Sequence, residues 1–103
     1  MLPTVRVLFV HGMGRTPLSG WPLLHRLKQA GLQTTTFGYL TAIEDFATIR
    51  RRLVSRLTEI ARAEDYVLIG HSLGGVLIRA ALNMLPQPVK RPRHVFLLGS
   101  PIQ

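Results

Sequence analysis

The apolar run Tyr66-Val67-Leu68-Ile69 breaks off into Gly70-His71-Ser72-Leu73-Gly74-Gly75, and a second strongly apolar segment begins at once. That order commits the chain to a strand, an abrupt turn and a helix. A serine at the apex of such a turn sits in strained backbone, so the residues two positions either side must lack bulk. Gly70 and Gly74 meet the need, because without a Cβ they let strand and helix approach closely. The turn lifts the Ser72 hydroxyl above the sheet edge. It also aims the first N–H groups of the following helix at whatever that hydroxyl attacks. G-x-S-x-G is weak as a bare pentapeptide, but between a strand and a helix it marks a nucleophilic serine.

The rest of the chain fits around that turn. Val5-Arg6-Val7-Leu8-Phe9-Val10 is a β-branched apolar run suited to a strand buried on both faces of a parallel sheet. It stops at His11-Gly12-Met13-Gly14, a loop placed where α/β proteins bring backbone N–H groups to ligands. Neither a phosphate loop nor a dinucleotide fingerprint is completed there. Residues 20–30 read as a helix with Trp21, Leu24, Leu27 and Ala30 inward, Ser19 as N-cap and Gly31 as the stop. Residues 32–39 read as a threonine-rich strand nearer the sheet edge. Thr41 and Glu44 have capping-box spacing. The helix predicted over 42–63 carries Phe46, Ile49, Leu53, Leu57 and Ile60 inward and Arg51, Arg52, Ser55, Arg56, Glu59 and Arg62 outward. After the strand 66–70 and the helix 73–85, a basic linker leads to a last apolar strand, His94-Val95-Phe96-Leu97-Leu98-Gly99. The pattern is β-α-β-α-β-α-β, which implies parallel strands with helices on both faces.

Composition narrows the classes. At 103 residues the chain is one small domain, residues 1–103, without internal repeat. Nearly half its residues are apolar, which excludes a disordered segment. Neither a membrane span nor a secretory signal is visible, so a cytoplasmic location is expected. Cysteine is absent, which excludes disulfides and thiolate metal sites; no metal or cofactor is expected. Thirteen Lys and Arg against five Asp and Glu give a net charge of +8. With no nucleic-acid motif beside it, the charge reads as a solvated helix face, and no specific nucleic-acid binding is expected.

Three stretches, Val10-His11-Gly12-Met13-Gly14, Gly70-His71-Ser72-Leu73-Gly74-Gly75 and Leu97-Leu98-Gly99-Ser100-Pro101, together resemble an α/β-hydrolase of the lipase and esterase branch. The resemblance covers essentially the whole chain, but matches only the N-terminal half of the family's domain. It implies a four-stranded parallel sheet of order 2-1-3-4, with Ser72 as nucleophile. The oxyanion hole would be the backbone N–H groups of Met13 and Leu73. Gly12, Gly70 and Gly74 would support the elbow and loop. His71 would pack beside the turn, and His11 would bond loop backbone. The implied partner is a small acyl ester, with lipids among the candidates.

The chain departs from that pattern in one respect. A serine hydroxyl needs a base, and the base an orienting acid, in the order Ser, acid, His. All five acids (Glu44, Asp45, Glu59, Glu64 and Asp65) precede Ser72. The one later histidine, His94, opens the last strand at the wrong end. The triad acid and base are therefore missing, and the domain reads as truncated at its C-terminus. Two functional classes follow. One is a carboxylic-ester hydrolase working through a Ser72 acyl-enzyme, with thioesterases and acyltransferases as chemical relatives. The other is a non-catalytic fragment or binding module that keeps the fold. The order 2-1-3-4 also leaves the strand over 95–99 with an open edge, although its sequence suits a sheet interior; self-association or pairing there is expected.

Overall fold

The computed structural model describes residues 5–12, 21–40 and 43–99. Strands β1 (Val5–Val10), β2 (Gln33–Phe37), β3 (Asp65–His71) and β4 (His94–Leu98) alternate with helices α1 (Trp21–Gln29), α2 (Phe46–Ala63) and α3 (Leu73–Met84). The strands form one four-stranded sheet of order β2-β1-β3-β4. All three pairings are parallel, with Val10 level with Phe37 and Gly70, and His71 level with Leu98. From β1 the chain goes outward on one side to β2, then crosses to the other side for β3. The crevice beyond the strand ends at such a switch point is where open α/β sheets place ligands.

The period-two alternation of β1 divides the core. Leu8 and Val10 join Leu68, Ile49, Leu53, Leu57, Leu77 and Ile78 in a large cluster under α2 and α3. Val7 and Phe9 face the other way, onto Ile69 and the α1 residue Leu24. The predicted α2 stripe Ile49, Leu53, Leu57 and Ile60 is buried, and each such side chain contributes about 1.5–3 kcal/mol. Ser19 falls outside the described residues, but Gly31 closes α1 in the left-handed conformation at φ 91°, where a Cβ is costly. Among the described residues no helix is long and apolar enough to cross a membrane.

Two local expectations need correction. Helix α2 starts at Phe46, later than predicted, because the Asp45 carboxylate caps it by accepting the Thr48 N–H at 2.8 Å. Glu44 stays outside the helix, accepting the Leu40 N–H and pairing with Arg52; Thr41 lies outside the described residues. Phe46 is not part of the buried stripe. It is 41% exposed, one turn ahead of Ile49, with the Arg50 guanidinium 5.8 Å from its ring centroid.

Candidate active site

Ser72 lies between β3 and α3 with φ 57° and ψ −122°. It is the one non-glycine residue with positive φ among those described. Such a conformation costs on the order of 1–3 kcal/mol and persists only where its surroundings over-determine it. Here they do. The Ser72 N–H donates to the Leu98 carbonyl at 3.0 Å, and the Ser72 carbonyl accepts from the Gly75 N–H at 3.0 Å. The hydroxyl makes no capping bond to its own helix. The N–H of Leu73 is among the first four of α3, which have no acceptor four residues back within the helix.

Glycines close the site sterically. A Cβ on Gly70 would come within 2.8 Å of the Gly75 backbone. On Gly74 it would overlap the Val10 carbonyl oxygen, so α3 starts directly against the end of β1. On Gly12 it would meet Ser72 Cβ at 2.9 Å and the His71 carbonyl oxygen at 3.0 Å. The loop after β1 therefore rests on the nucleophile candidate. Met13, the other expected oxyanion donor, lies outside the described residues.

His11 holds that loop. It is 1% exposed. Its Nε2 accepts the Tyr39 N–H at 3.4 Å, which leaves the ring proton on Nδ1, facing the Gly12 carbonyl at 3.0 Å. The Tyr39 hydroxyl donates to the His11 carbonyl at 2.5 Å, and the two rings stack 4.2 Å apart at 9°. Burial pushes the Tyr39 phenol up to about 12. With both ring nitrogens engaged, His11 positions backbone and has no nitrogen left for Ser72. Tyr39 is the site residue that sequence reasoning missed. Its position just past the end of β2 gives no hint that it will clasp the end of β1.

The other histidines stand as follows. The His71 ring lies across the strand ends, with Nδ1 3.5 Å from where a Gly12 Cβ would be and Nε2 3.9 Å from where a Gly99 Cβ would be. His94 is paired with Val67 at the start of β4, while Leu98 reaches His71. Four residues of strand, about 13 Å, separate His94 from the end where Ser72 emerges. His25 is exposed on α1.

Four of the five acids have partners away from Ser72. Asp65 opens β3 at the opposite end of the sheet, bonded to Lys90 at 2.9 Å with Arg93 at 3.8 Å. The Lys90 bond holds its carboxyl below the usual range. Glu64 pairs with Arg6 at 2.9 Å, Asp45 caps α2 and Glu44 pairs with Arg52. Glu59 is exposed on α2. Among the described residues no three His, Asp or Glu side chains gather to hold a metal. The described site thus brings together a strained serine, a helix N-terminus and a braced loop, without an acid–histidine pair.

The chain matches the sequence profile of the Alpha/beta hydrolase family over residues 7–102. No curated protein sequence matches it. Similar solved structures include a methylesterase from Arabidopsis, with 21% identity and TM-score 0.77, over 97% of this chain and 45% of that one. An extracellular α/β-hydrolase from a Paenibacillus species has 20% identity and TM-score 0.76, over 98% of this chain and 42% of that one. The RedJ thioesterase of prodiginine biosynthesis in Streptomyces coelicolor has 24% identity and TM-score 0.74, over 93% of this chain and 39% of that one. At these identities the likeness is one of fold. This chain spans less than half the length of each of the three.

Proposed function

This chain belongs to the α/β-hydrolase family, and we propose that it carries the nucleophile half of a serine esterase. Ser72 Oγ attacks the carbonyl carbon of a carboxylic ester, forming the acyl C–O bond and losing its proton to a base. The alcohol leaves with a proton, and water then releases the acid from the acyl-enzyme. The Leu73 N–H and a donor from the loop after Gly12 stabilise the developing oxyanion. Losing one such donor typically costs ~10²–10³ in turnover.

The observation that carries the reading is the Ser72 backbone at φ 57°, held between Leu98, Gly75 and Gly12. Strain that is over-determined by its surroundings collects at functional positions. Esterase and thioesterase folds among the similar structures support acyl transfer as the reaction class. Among the described residues no histidine paired with an acid faces Ser72, so this reading requires a base and an acid from elsewhere. That same feature favours a second reading, a module that keeps the fold without hydrolysis.

Fluorophosphonate labelling separates the two. Under the esterase reading the adduct maps to Ser72 by peptide mass spectrometry and is lost in Ser72→Ala. A folded protein that acquires no adduct at Ser72, even over prolonged exposure, supports the non-catalytic module.

A further inference from the structure

We propose that the groove between α2 and the linker of residues 85–93 is a second binding site, one that takes a small carboxylate with an apolar tail. The groove has a volume of about 420 Å³, with Thr58, Ala61 and Arg62 on one wall and Pro88, Val89 and Lys90 on the other. That size lies in the range of small-molecule sites. Both walls are interior to the chain: α2 stands between β2 and β3, and the linker between α3 and β4. The groove lies at the end of the sheet where β3 begins, since its Lys90 is held by Asp65 at 2.9 Å. Ser72 follows the other end of β3, about 20 Å away.

The linker is a fixed wall. The hydroxyl of fully buried Tyr66 donates to the Lys90 carbonyl at 2.6 Å, and the Arg93 N–H donates to the Tyr66 carbonyl at 2.8 Å. The Arg91 guanidinium donates to the Leu82 and Leu85 carbonyls at 3.0 and 3.1 Å. The Val89 N–H closes a turn onto the Pro86 carbonyl at 3.0 Å. The opposite wall is the end of α2, anchored in the core by Leu57 and Ile60. Ala61 and Val89 pack on the main core from the two sides and give the groove an apolar floor. Thr58 adds no free donor, because its hydroxyl donates to the Val54 carbonyl at 2.9 Å. Walls that need no rearrangement lose little freedom when a ligand binds.

Charge selects the ligand. Asp65 faces two cations, Lys90 at 2.9 Å and Arg93 at 3.8 Å. Arg62 adds a third, and no ion pair holds it among the described residues. The nearby acids are turned to other partners or faces: Glu64 pairs with Arg6, and Glu59 lines the opposite flank of α2 beside Arg56. The carbonyl end of α2 carries about half a negative charge, less than the excess of cations. The Arg62 guanidinium can give a carboxylate two parallel N–H bonds while an apolar tail lies along Ala61, Pro88 and Val89. Inorganic phosphate would meet the cations but leave the floor uncovered, and a neutral tail would leave the cations unanswered.

The site is independent of acylation at Ser72, so the test reads binding alone. Octanoate is the probe, titrated into the wild-type chain and followed by NMR amide shifts. Saturable shifts should centre on Thr58, Ala61, Arg62 and Val89, with a dissociation constant in roughly the millimolar range. Acetate, which lacks the tail, and 1-octanol, which lacks the charge, should each bind about tenfold more weakly or worse. Arg62→Gln should weaken octanoate about tenfold. Arg62→Lys should weaken it less, because it keeps the charge and loses only the fork. Arg62 is exposed, so both variants should keep the wild-type spectrum away from the groove. Octanoate shifts centred on Ser72 or on β4 would overturn the proposal. So would an Arg62→Gln variant that binds octanoate as tightly as wild type, or a wild type that shows no saturable shift.

Discussion

The two flanks of Ser72 are built differently. On the β1–β2 side everything is closed. Gly74 abuts the Val10 carbonyl, Gly12 abuts Ser72, and Tyr39 clasps His11 by hydroxyl, backbone N–H and ring face. Even the outer strand there is dressed, with the Arg52 guanidinium 5.1 Å from the Phe37 ring centroid. On the β4 side one hydrogen bond from the Ser72 N–H to Leu98 is the described tie, and the strand that provides it is exposed from end to end. The strained backbone of Ser72 is thus packed tightly on one flank and tied by a single described hydrogen bond on the other. Under the esterase reading the described residues of the open side supply neither base nor acid, so that reading separates preorganisation of Ser72 from its activation.

The contrast can be broken first on the closed flank. Gly74→Ala forces a Cβ into the end of β1, where backbone cannot yield cheaply; we expect a loss of about 3 kcal/mol or more in urea unfolding. A loss below about 1 kcal/mol would show that loop and elbow are not locked together. Tyr39→Phe comes next. It leaves the His11 carbonyl buried without its donor and should cost about 1–3 kcal/mol.

The same residue predicts a pH dependence. Burial raises the Tyr39 phenol to about 12, so the folded state keeps a proton that the unfolded state gives up near pH 10. Its contribution is whole below pH 10 and is lost as pH rises toward 12. Tyr66 is raised in the same direction, so Tyr39→Phe should make the alkaline loss shallower without abolishing it. An unchanged slope in pH-resolved unfolding would contradict this assignment.

Ser72→Gly sharpens the comparison at its centre. Glycine accepts φ 57° without a Cβ penalty, so this variant should unfold about 1 kcal/mol later than Ser72→Ala. Equal stabilities would mean that the turn relaxes on mutation. The smallest effect is expected at the dressed edge. Arg56→Ala removes an exposed contact to Thr35 and should change stability by about 0.5 kcal/mol or less.

The fold was legible because its signals are local. The apolar run, the two glycines around Ser72 and the stripe from Ile49 to Ile60 each lie within one element, and their order dictates the parallel sheet. Where two local signals competed, the reading chose the wrong one: Thr41 and Glu44 have capping-box spacing, but Asp45 caps the helix through the Thr48 N–H, and Glu44 pairs with Arg52 instead. Phe46 followed the helical period but lies ahead of the first residue to reach the core. Tyr39 was out of reach for a different reason. Its bond to His11 spans 28 residues and joins the ends of two strands, which no periodicity encodes. The sequence order shows directly that no acid follows Ser72 and that the one later histidine, His94, opens the last strand.

The central claim is that Ser72 is preorganised but lacks its base. The direct test is the fluorophosphonate labelling rate of the isolated chain with increasing imidazole, a small base able to enter the open flank. We predict slow labelling without imidazole and a rate that climbs with its concentration, at Ser72 and not in Ser72→Ala. Rapid labelling that ignores imidazole would contradict the account, because the base would then already lie within this chain.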